Sequence, residues 1–276
     1  MKKQDFKVLK TKDLYPFPDN PFHVAEDETL SELAESIKEF GIVTPIITRP
    51  KEDGDGYEVI AGQRRVRASE LAGINTVPAF VLPLDRDRAI ITLVDSNLQR
   101  ENILPSERAF AYKMKIEAVG HQGRTCGQVG HKSRDMFSDV DSGRQVQRYI
   151  RLTELIPEIL TMVDNSKIAL TPAVELSYLT KQEQQDLLET MESEDCTPSL
   201  SQAMQLKKLS QSGALTMEII FDTLREPKAN QQDKISFRVD DLRRYFPKSY
   251  SAARIQGHIL KLLETDYRKR QRAQER

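Results

Sequence analysis

The chain has 276 residues, of which 38% are hydrophobic, with a formal net charge of −1 and a mean hydropathy of −0.54. This length suggests two or three domains with ordinary hydrophobic cores. No apolar run approaches the roughly 20 residues that a membrane helix needs, and the polar N-terminus leads into no signal-peptide core. We therefore expect a cytoplasmic protein without a membrane partner.

The charged residues are unevenly distributed along the chain. Residues 108–155 contain nine Lys or Arg against five Asp or Glu, and residues 234–276 contain twelve against five. Between them, residues 156–200 contain two Lys or Arg against nine acidic residues. Basic segments of this kind fit contact with nucleic acid, although solvated surface charge gives the same pattern.

The first third of the chain has the pattern of a mixed α/β unit. Residues 1–26 are expected to be extended because their prolines exclude a regular helix. Asp27 can cap a helix that ends at Gly41, since the apolar residues between them have helical spacing. Strands are predicted over residues 42–48, 57–61 and 76–82, with a helix between Gly62 and Gly73.

From about residue 85 onward the pattern is helical. Thr180 and Glu183 have the form of a capping box, another helix is expected to end near Gly213, and the tail contains a long basic helix. The predicted fold class is α+β: a small mixed α/β N-terminal domain, an all-α domain and a small C-terminal helical segment. Its predicted boundaries are residues 1–105, 106–215, a linker over 216–233, and 234–276.

The first candidate site lies where a predicted strand meets a helix, at residues 61–68, Ala-Gly-Gln-Arg-Arg-Val-Arg-Ala. Gly62 allows a ligand to approach the backbone, and the first N–H groups of the helix favour an anion. Arg64 and Arg65 add guanidinium groups suited to phosphate oxygens. A strand-turn-helix with surface arginines explains the pattern equally well, and no P-loop motif is present.

A second candidate site is the polar run at residues 95–102, at the expected end of a helix. The side-chain oxygen of Asn97 is of a kind that Mg²⁺ accepts, since this ion is held by few protein ligands together with phosphates. Capping of the helix end is the alternative. Cys126, with His121 and His131 at equal spacing on either side, offers too few ligands for a typical zinc site.

Three ordered motifs resemble the ParB/RepB family of partition proteins. They are residues 41–49, residues 62–73 and residues 97–101, preceded by a lead-in at residues 19–22 that is similar to the family's. Their order and spacing match the family over residues 14–110, and the helical region continues the match to about residue 215.

The resemblance implies an N-terminal domain that binds CTP with Mg²⁺, a helix-turn-helix that reads a palindromic DNA site, and a dimerising C-terminus. Such homodimers close on DNA as clamps when CTP binds, and they work with a ParA-type ATPase in chromosome, plasmid or mobile-element segregation, which implies association with the nucleoid. Asn97 would lie near the metal. The nucleotide-binding positions implied by the resemblance are Thr44, Pro45, Gly62, Gln63, Arg64, Arg65, Asn97, Gln99 and Arg100.

The chain departs from the family pattern at three of the motif positions. Gln63 replaces the usual Glu, Ser96 replaces the Glu that usually precedes Asn97, and Thr44 stands where many members have Gln. A hydroxyl is a poorer Mg²⁺ ligand than a carboxylate, so we expect at most weak CTP hydrolysis. The catalytic residues, if any, stay unassigned.

The third candidate site is a predicted helix-turn-helix. Residues 128–137 form its supporting helix, residues 139–143 its turn, and Ser142 caps the reading helix. A reading helix places Arg and Gln side chains against base edges, while Lys and Arg of the supporting helix contact phosphates. An amphipathic helix with a solvated polar face is the alternative. The predicted DNA-binding residues are Lys132, Ser133, Arg134, Ser142, Arg144, Gln145, Gln147, Arg148 and Arg151.

The C-terminal segment has a short seam of apolar residues. Ile255, Ile259, Leu262 and Asp266 recur at coiled-coil spacing, with the last position breaking the seam. We expect residues 234–276 to hold a dimer, with the basic residues after 267 on the DNA backbone. These are Arg268, Lys269, Arg270 and Arg272.

Three functions are compatible with these patterns. The first is a nucleotide-gated DNA clamp, and the second is a plain helix-turn-helix regulator with a vestigial nucleotide site. The third is an enzyme, because the N-terminal fold of the family also resembles sulfiredoxin and a small-molecule kinase. A sulfiredoxin requires a reactive cysteine near Gly62, and both cysteines lie far along the chain. We rank the three in that order.

Overall fold

The computed structural model describes residues 5–100, 102–121, 141–226, 242, 245–247 and 250–274. The chain divides into two compact units, Met1–Glu226 and Pro227–Arg276, which are described separately. Within the described ranges, every helix is too short or too polar to cross a membrane.

A five-stranded mixed sheet forms the centre of the N-terminal region. Its strand order is β1-β5-β3-β4-β2, with β1 antiparallel to β5, β5 parallel to β3, β3 antiparallel to β4, and β4 parallel to β2. The predicted extended N-terminus therefore supplies both edge strands. The strands are β1 (Asp5–Lys10), β2 (Leu14–Pro16), β3 (Ile46–Pro50), β4 (Tyr57–Ala61) and β5 (Thr76–Val81).

The strand predicted over residues 42–48 is displaced in the structure and runs from Ile46 to Pro50. Pro45 has no N–H group to donate to a neighbouring strand. The carbonyls of Thr44 and Pro45 accept hydrogen bonds from the guanidinium group of Arg65 instead. A side chain that is distant in sequence thus decides where the strand begins.

Three helices accompany the sheet: α1 (Glu28–Phe40), α2 (Gln63–Leu71) and α3 (Arg86–Leu98). The carboxylate of Asp27 accepts the N–H of Leu30 at 2.9 Å and caps α1, which ends at Gly41 with φ of 72°. Both ends agree with the sequence prediction. Asp85 caps α3 in the same way, by accepting the N–H of Arg88.

After α3, the described residues of the first unit are mainly helical. Its capping boxes, Thr180 with Glu183 and Ser199 with Gln202, begin two of the helices. The predicted α+β fold class is confirmed. The helices are α4 (Pro105–His121), α5 (Gly143–Arg151), α6 (Pro157–Asp164), α7 (Leu170–Leu176), α8 (Lys181–Ser193), α9 (Leu200–Gln211) and α10 (Met217–Arg225).

Helix α10 occupies part of the range predicted as a linker, residues 216–233. Its Ile220 and Leu224 are buried in the core of the helical region, at 0% and 4% exposure. The predicted linker therefore does not begin at residue 216, because apolar residues four positions apart bury this segment as a helix. Residues 227–233 of the predicted linker lie outside the described part of the chain.

Helix α4 joins the two parts of the first unit. Its Ala109 belongs to the core of the helical region, whereas Ala111 and Tyr112 belong to a second core with Phe17 of the lead-in and Val146 of α5. The same helix therefore packs against the segment that leads to the candidate cleft and against the candidate reading helix.

The second unit contains α11 (Ala252–Gln274), the predicted long basic helix. Ile255 of the predicted seam is buried, whereas Leu262 is 61% exposed and Asp266 pairs with Arg270 at 2.6 Å. Leu260, Leu263 and Tyr267 are also more than half exposed. The helix thus carries more apolar surface than the sequence seam indicated.

Candidate functional site

A polar cleft of about 200 Å³ lies where β4 meets α2. It combines residues of the second and third sequence motifs with the lead-in segment. Its walls are formed by Phe22, His23, Val24, Ile60, Gly62, Gln63, Arg64, Arg65, Asn97 and Arg100.

Gly62 forms the floor of the junction and is the N-cap of α2, with φ of 101° in the left-handed region. A Cβ atom at this position would lie 2.7 Å from Cγ2 of Ile46 and 3.0 Å from the Nη2 atom of Arg65. The position therefore requires glycine. The N–H groups of Gln63 and Arg64, the first two of α2, have no acceptor within the helix, whereas that of Arg65 already donates to the carbonyl of Gly62. The first two groups provide a place for an anion.

Arg65 lines the cleft and bonds the loop at residues 44–45. One of its Nη atoms donates to the carbonyls of Thr44 and Pro45, and the bond to Pro45 is 2.8 Å long. Burial lowers the pKa of Arg65 below its ordinary value. The predicted residues Thr44 and Pro45 are thus brought to the site through Arg65, but they do not line the cleft.

Arg64 is oriented by the beginning of α1. Its Nη2 atom donates to the hydroxyl of Thr29 and lies 3.4 Å from Oδ1 of Asp27. The hydrogen bond from Thr29 is the largest of the effects that lower the pKa of the Asp27 carboxyl, with Arg64 contributing less. The guanidinium group is therefore held at the cleft by a fixed hydroxyl and carboxylate.

Gln63 connects the lead-in to the cleft. Its Oε1 atom accepts a hydrogen bond of 2.8 Å from Nδ2 of Asn20, whose own Oδ1 accepts the N–H of Phe22. These two bonds fix the orientation of both amides. The Nε2 atom of Gln63 is then buried without a hydrogen-bond partner among the described residues. At position 63 the chain therefore has an amide N–H donor where the family usually has the carboxylate of a Glu.

The end of α3 supplies the other wall of the cleft. Arg100 donates to Oδ1 of Asn97 at 3.2 Å, and Nδ2 of Asn97 donates to the carbonyl of Leu93. The hydroxyl of Ser96 donates to the same carbonyl at 2.9 Å, so it is used within the helix. Gln99 is exposed and does not line the cleft.

The cleft has few groups that suit a magnesium ion. Among the described residues, no group of three or more His, Cys, Asp and Glu side chains is placed to hold a metal. Oδ1 of Asn97 is an oxygen ligand at the cleft, which fits an ion held mainly by phosphates and water. His121 contacts Asp87, whereas Cys126 and His131, the other two members of this sequence pattern, lie outside the described residues.

The predicted reading helix is α5. Ser142 is its N-cap and accepts the N–H of Gln145 at 3.3 Å, as predicted, and Val146 packs it onto the core. Arg144 and Gln147 are exposed, whereas Gln145 is half-buried. The side chains of Arg144 and Gln147 are therefore accessible to solvent.

Two of the predicted reading arginines contact the neighbouring helix α7 or its C-terminal end. Arg148 donates to the hydroxyl of Thr171 at 2.6 Å, and Arg151 donates to the hydroxyl and carbonyl of Ser177 while stacking on Tyr178. In this arrangement Arg151 fastens α5 to the end of α7. The predicted Lys132, Ser133 and Arg134 lie outside the described residues.

The sequence did not single out two parts of the site. His23 and Val24 line the cleft beside Phe22, and Glu107 accepts the N–H of His23 at 2.8 Å. Glu107 is only 8% exposed, and its Oε1 atom also lies 3.5 Å from Nδ1 of the exposed His23 imidazole. The sequence does not indicate this role of Glu107, because acidic residues are common in the first turn of a helix, where they interact with the helix dipole.

Residues 1–98 match the family model of the ParB N-terminal domain. Residues 1–98 are therefore a ParB N-terminal domain, and the predicted resemblance is confirmed over this part of the chain. The chromosome-partitioning protein Spo0J of Thermus thermophilus is 38% identical over 154 residues, which are 55% of this chain and 52% of that protein. The chain spans about half the length of the curated relatives it matches.

Two solved structures of a C-terminally truncated ParB from Caulobacter crescentus are similar at lower levels. The complex with the centromeric parS site is 22% identical, covers 80% of this chain and 100% of its own, and has a TM-score of 0.45. The complex with CTP-gamma-S is 27% identical, covers 63% and 92% of the two chains, and has a TM-score of 0.33.

Proposed function

We propose that this chain is a partition protein that binds CTP with Mg²⁺ in the β4–α2 cleft and a palindromic DNA site through α5. The observation that carries the proposal is the junction at Gly62, where a left-handed glycine opens the first turn of a helix beside Arg64 and Arg65. This arrangement suits a polyphosphate, whose charge is favoured by helix N–H groups and guanidinium forks. The choice of cytosine rests on the family resemblance alone, not on the geometry of the cleft.

Each wall of the cleft has a separate role in this proposal. The α2 N-terminus and Arg64 bind phosphoryl oxygens, and Arg65 keeps the 44–45 loop in place behind them. Asn97 would hold the Mg²⁺ ion, which would neutralise part of the phosphate charge. No carboxylate lines the described cleft, so hydrolysis is expected to be slow or absent.

DNA binding is assigned to α5 and the basic C-terminal helix. Arg144 and Gln147 are exposed and suit the edges of guanine and adenine. A palindromic site requires two copies of the helix, which a homodimer held by α11 supplies. The family resemblance adds a ParA-type ATPase as partner and a cytoplasmic location on the nucleoid, serving a chromosome, plasmid or mobile element.

Calorimetry with CTP, UTP, ATP and GTP in the presence of Mg²⁺ tests the nucleotide part of this function. CTP should bind, and the other three nucleotides should bind weakly or not at all, because the family resemblance implies CTP as the ligand of this domain. Each titration is repeated with a palindromic duplex that the protein itself has selected from a random pool. Absence of heat at millimolar nucleotide, with and without this duplex, contradicts nucleotide binding.

A plain DNA-binding regulator is the second candidate, and one observation favours it. Both α2 arginines of the cleft already have protein partners: Arg64 bonds Thr29, and Arg65 bonds the carbonyls of residues 44 and 45. A vestigial site would keep such bonds permanently. The two candidates separate in the same experiment, since a regulator selects a DNA site without responding to any nucleotide.

A further inference from the structure

The first turn of α4 makes three long-range polar contacts through three successive residues. Ser106 donates its N–H and hydroxyl to Asp164 at 2.9 and 2.6 Å. Glu107 accepts the N–H of His23, and Arg108 donates to Asp141 at 3.3 Å. The second contact reaches the wall of the cleft, and the third reaches the residue before the N-cap of α5.

The contact with the cleft is partly buried, and both oxygens of the Glu107 carboxylate accept backbone N–H groups. Oε1 of Glu107 accepts the N–H of His23, and Oε2 accepts the N–H of Leu104 at 3.3 Å. Such charge-assisted bonds are shorter and stronger than neutral ones. Glu107 therefore attaches the lead-in segment, which lines the cleft at residues 22–24, to the beginning of α4.

The contact with the reading helix is part of a partly buried cluster. Asp141 accepts hydrogen bonds from Arg108 and from the hydroxyl of Tyr112, whose side chain is fully buried. The ring of Tyr112 lies 5.9 Å from that of Tyr149 in α5, and the guanidinium carbon of Arg108 lies 5.3 Å from the same ring. The cluster thus sets where α5 begins and how it lies on α4.

We infer that Glu107 is a positioning residue, which together with the Arg108–Tyr112–Asp141 cluster transmits occupancy of the cleft to the reading helix. This inference rests on the proposed function. Glu107 and Arg108 are adjacent in one helical turn, so a ligand that shifts residues 22–24 moves both through a stiff element. Nε of Arg108 is buried without a partner among the described residues, so the cluster leaves one donor unsatisfied in this arrangement.

The expected consequence is a change in DNA affinity on nucleotide binding that depends on Glu107. Couplings of this kind amount to about 5- to 150-fold, and DNA must change nucleotide affinity by the same factor. Glu107→Gln leaves one acceptor for two backbone N–H donors, since the amide nitrogen cannot accept. Tyr112→Phe removes only the hydroxyl at the other end of the connection.

The test measures the affinity for the selected palindromic duplex with and without saturating CTP and Mg²⁺, and the reciprocal CTP affinity with and without duplex. Full-length wild type is compared with Glu107→Gln, Tyr112→Phe and the control Asp164→Asn. Asp164 binds the same turn of α4 but contacts neither the described cleft nor α5. Circular dichroism verifies folding, and the isosteric Tyr112→Phe carries the test if Glu107→Gln is unstable.

In the wild type and in Asp164→Asn we expect a coupling factor of about fivefold or more. In Glu107→Gln and Tyr112→Phe it should fall to within about twofold of unity, the size of ordinary non-additivity. Wild-type coupling in both variants, or CTP binding without any coupling in the wild type, overturns the inference and leaves nucleotide binding intact. Absence of CTP binding by the wild type contradicts the proposed function itself.

Discussion

Replacing Gly62 with alanine tests the geometry of the strand-to-helix junction most directly. The backbone at this position has φ of 101°, and the new Cβ would lie 2.7 Å from Cγ2 of Ile46, a fully buried side chain. The left-handed backbone costs about 1–2 kcal/mol for a residue with a side chain. Overpacking of a buried site costs about 1–3 kcal/mol more. We expect the free energy of unfolding to fall by about 2–5 kcal/mol in total.

Gly73 provides a matched control in the same domain. Its φ is 71°, also left-handed, but a Cβ atom there would have no described neighbour within 4 Å. Gly73→Ala should therefore cost only the backbone strain of about 1–2 kcal/mol. The difference between the two variants, about 1–3 kcal/mol, measures the steric contact alone.

Urea-induced unfolding followed by far-UV circular dichroism gives both values, and calorimetry with CTP gives the functional effect. Gly62→Ala should also weaken CTP binding, because the added methyl displaces Ile46 or Arg65 at the cleft. Equal losses of stability in the two variants, within about 0.5 kcal/mol, would refute the close contact at Gly62. Unchanged CTP affinity in Gly62→Ala would show that the nucleotide does not approach this junction.

Further substitutions test the remaining parts of the proposal. Arg64→Ala should reduce CTP affinity about tenfold to a hundredfold in calorimetry, while Arg67→Ala, outside the cleft, should not; similar losses in both would contradict a specific contact of Arg64 with the phosphates. Arg144→Ala should weaken binding to the selected duplex by about 1–3 kcal/mol in gel-shift titrations. If this variant prefers the selected duplex over scrambled DNA as strongly as the wild type does, Arg144 does not read the bases. Ser96→Glu should raise CTP turnover in a phosphate-release assay if the missing carboxylate limits hydrolysis. If turnover does not increase, the missing carboxylate is not what limits it. Leu263→Asp should give a monomer in light scattering, and a persistent dimer would exclude this face of α11.

The sequence determined the local features of the fold. Asp27, Asp85, Ser142 and Thr180 each cap the helix that follows, because a cap depends on residues within one turn of each other. The strand Tyr57–Ala61 and the glycine after it were likewise readable, since the change from strand to helical periodicity occurs there. The ordered motifs gave the family of the N-terminal domain.

The tertiary structure decided which of the predicted residues meet. Thr44 and Pro45 reach the cleft only through Arg65, and Arg151 is engaged by the end of α7 instead of extending freely. The late start of β3 has the same origin, because Arg65 binds the carbonyls that a longer strand would use. These outcomes depend on where separate elements pack, and no local pattern encodes that.

The contact between Glu107 and the N–H of His23 is the clearest example of a contact that only the tertiary structure decides. The two residues are 84 positions apart, and a backbone N–H group carries no side-chain signature in a sequence. Their meeting depends on the path of the lead-in across the sheet and on the packing of α4 against it. Local hydrogen bonds and periodicity therefore determined the elements of this protein, while the close packing of distant elements determined how its candidate sites are connected.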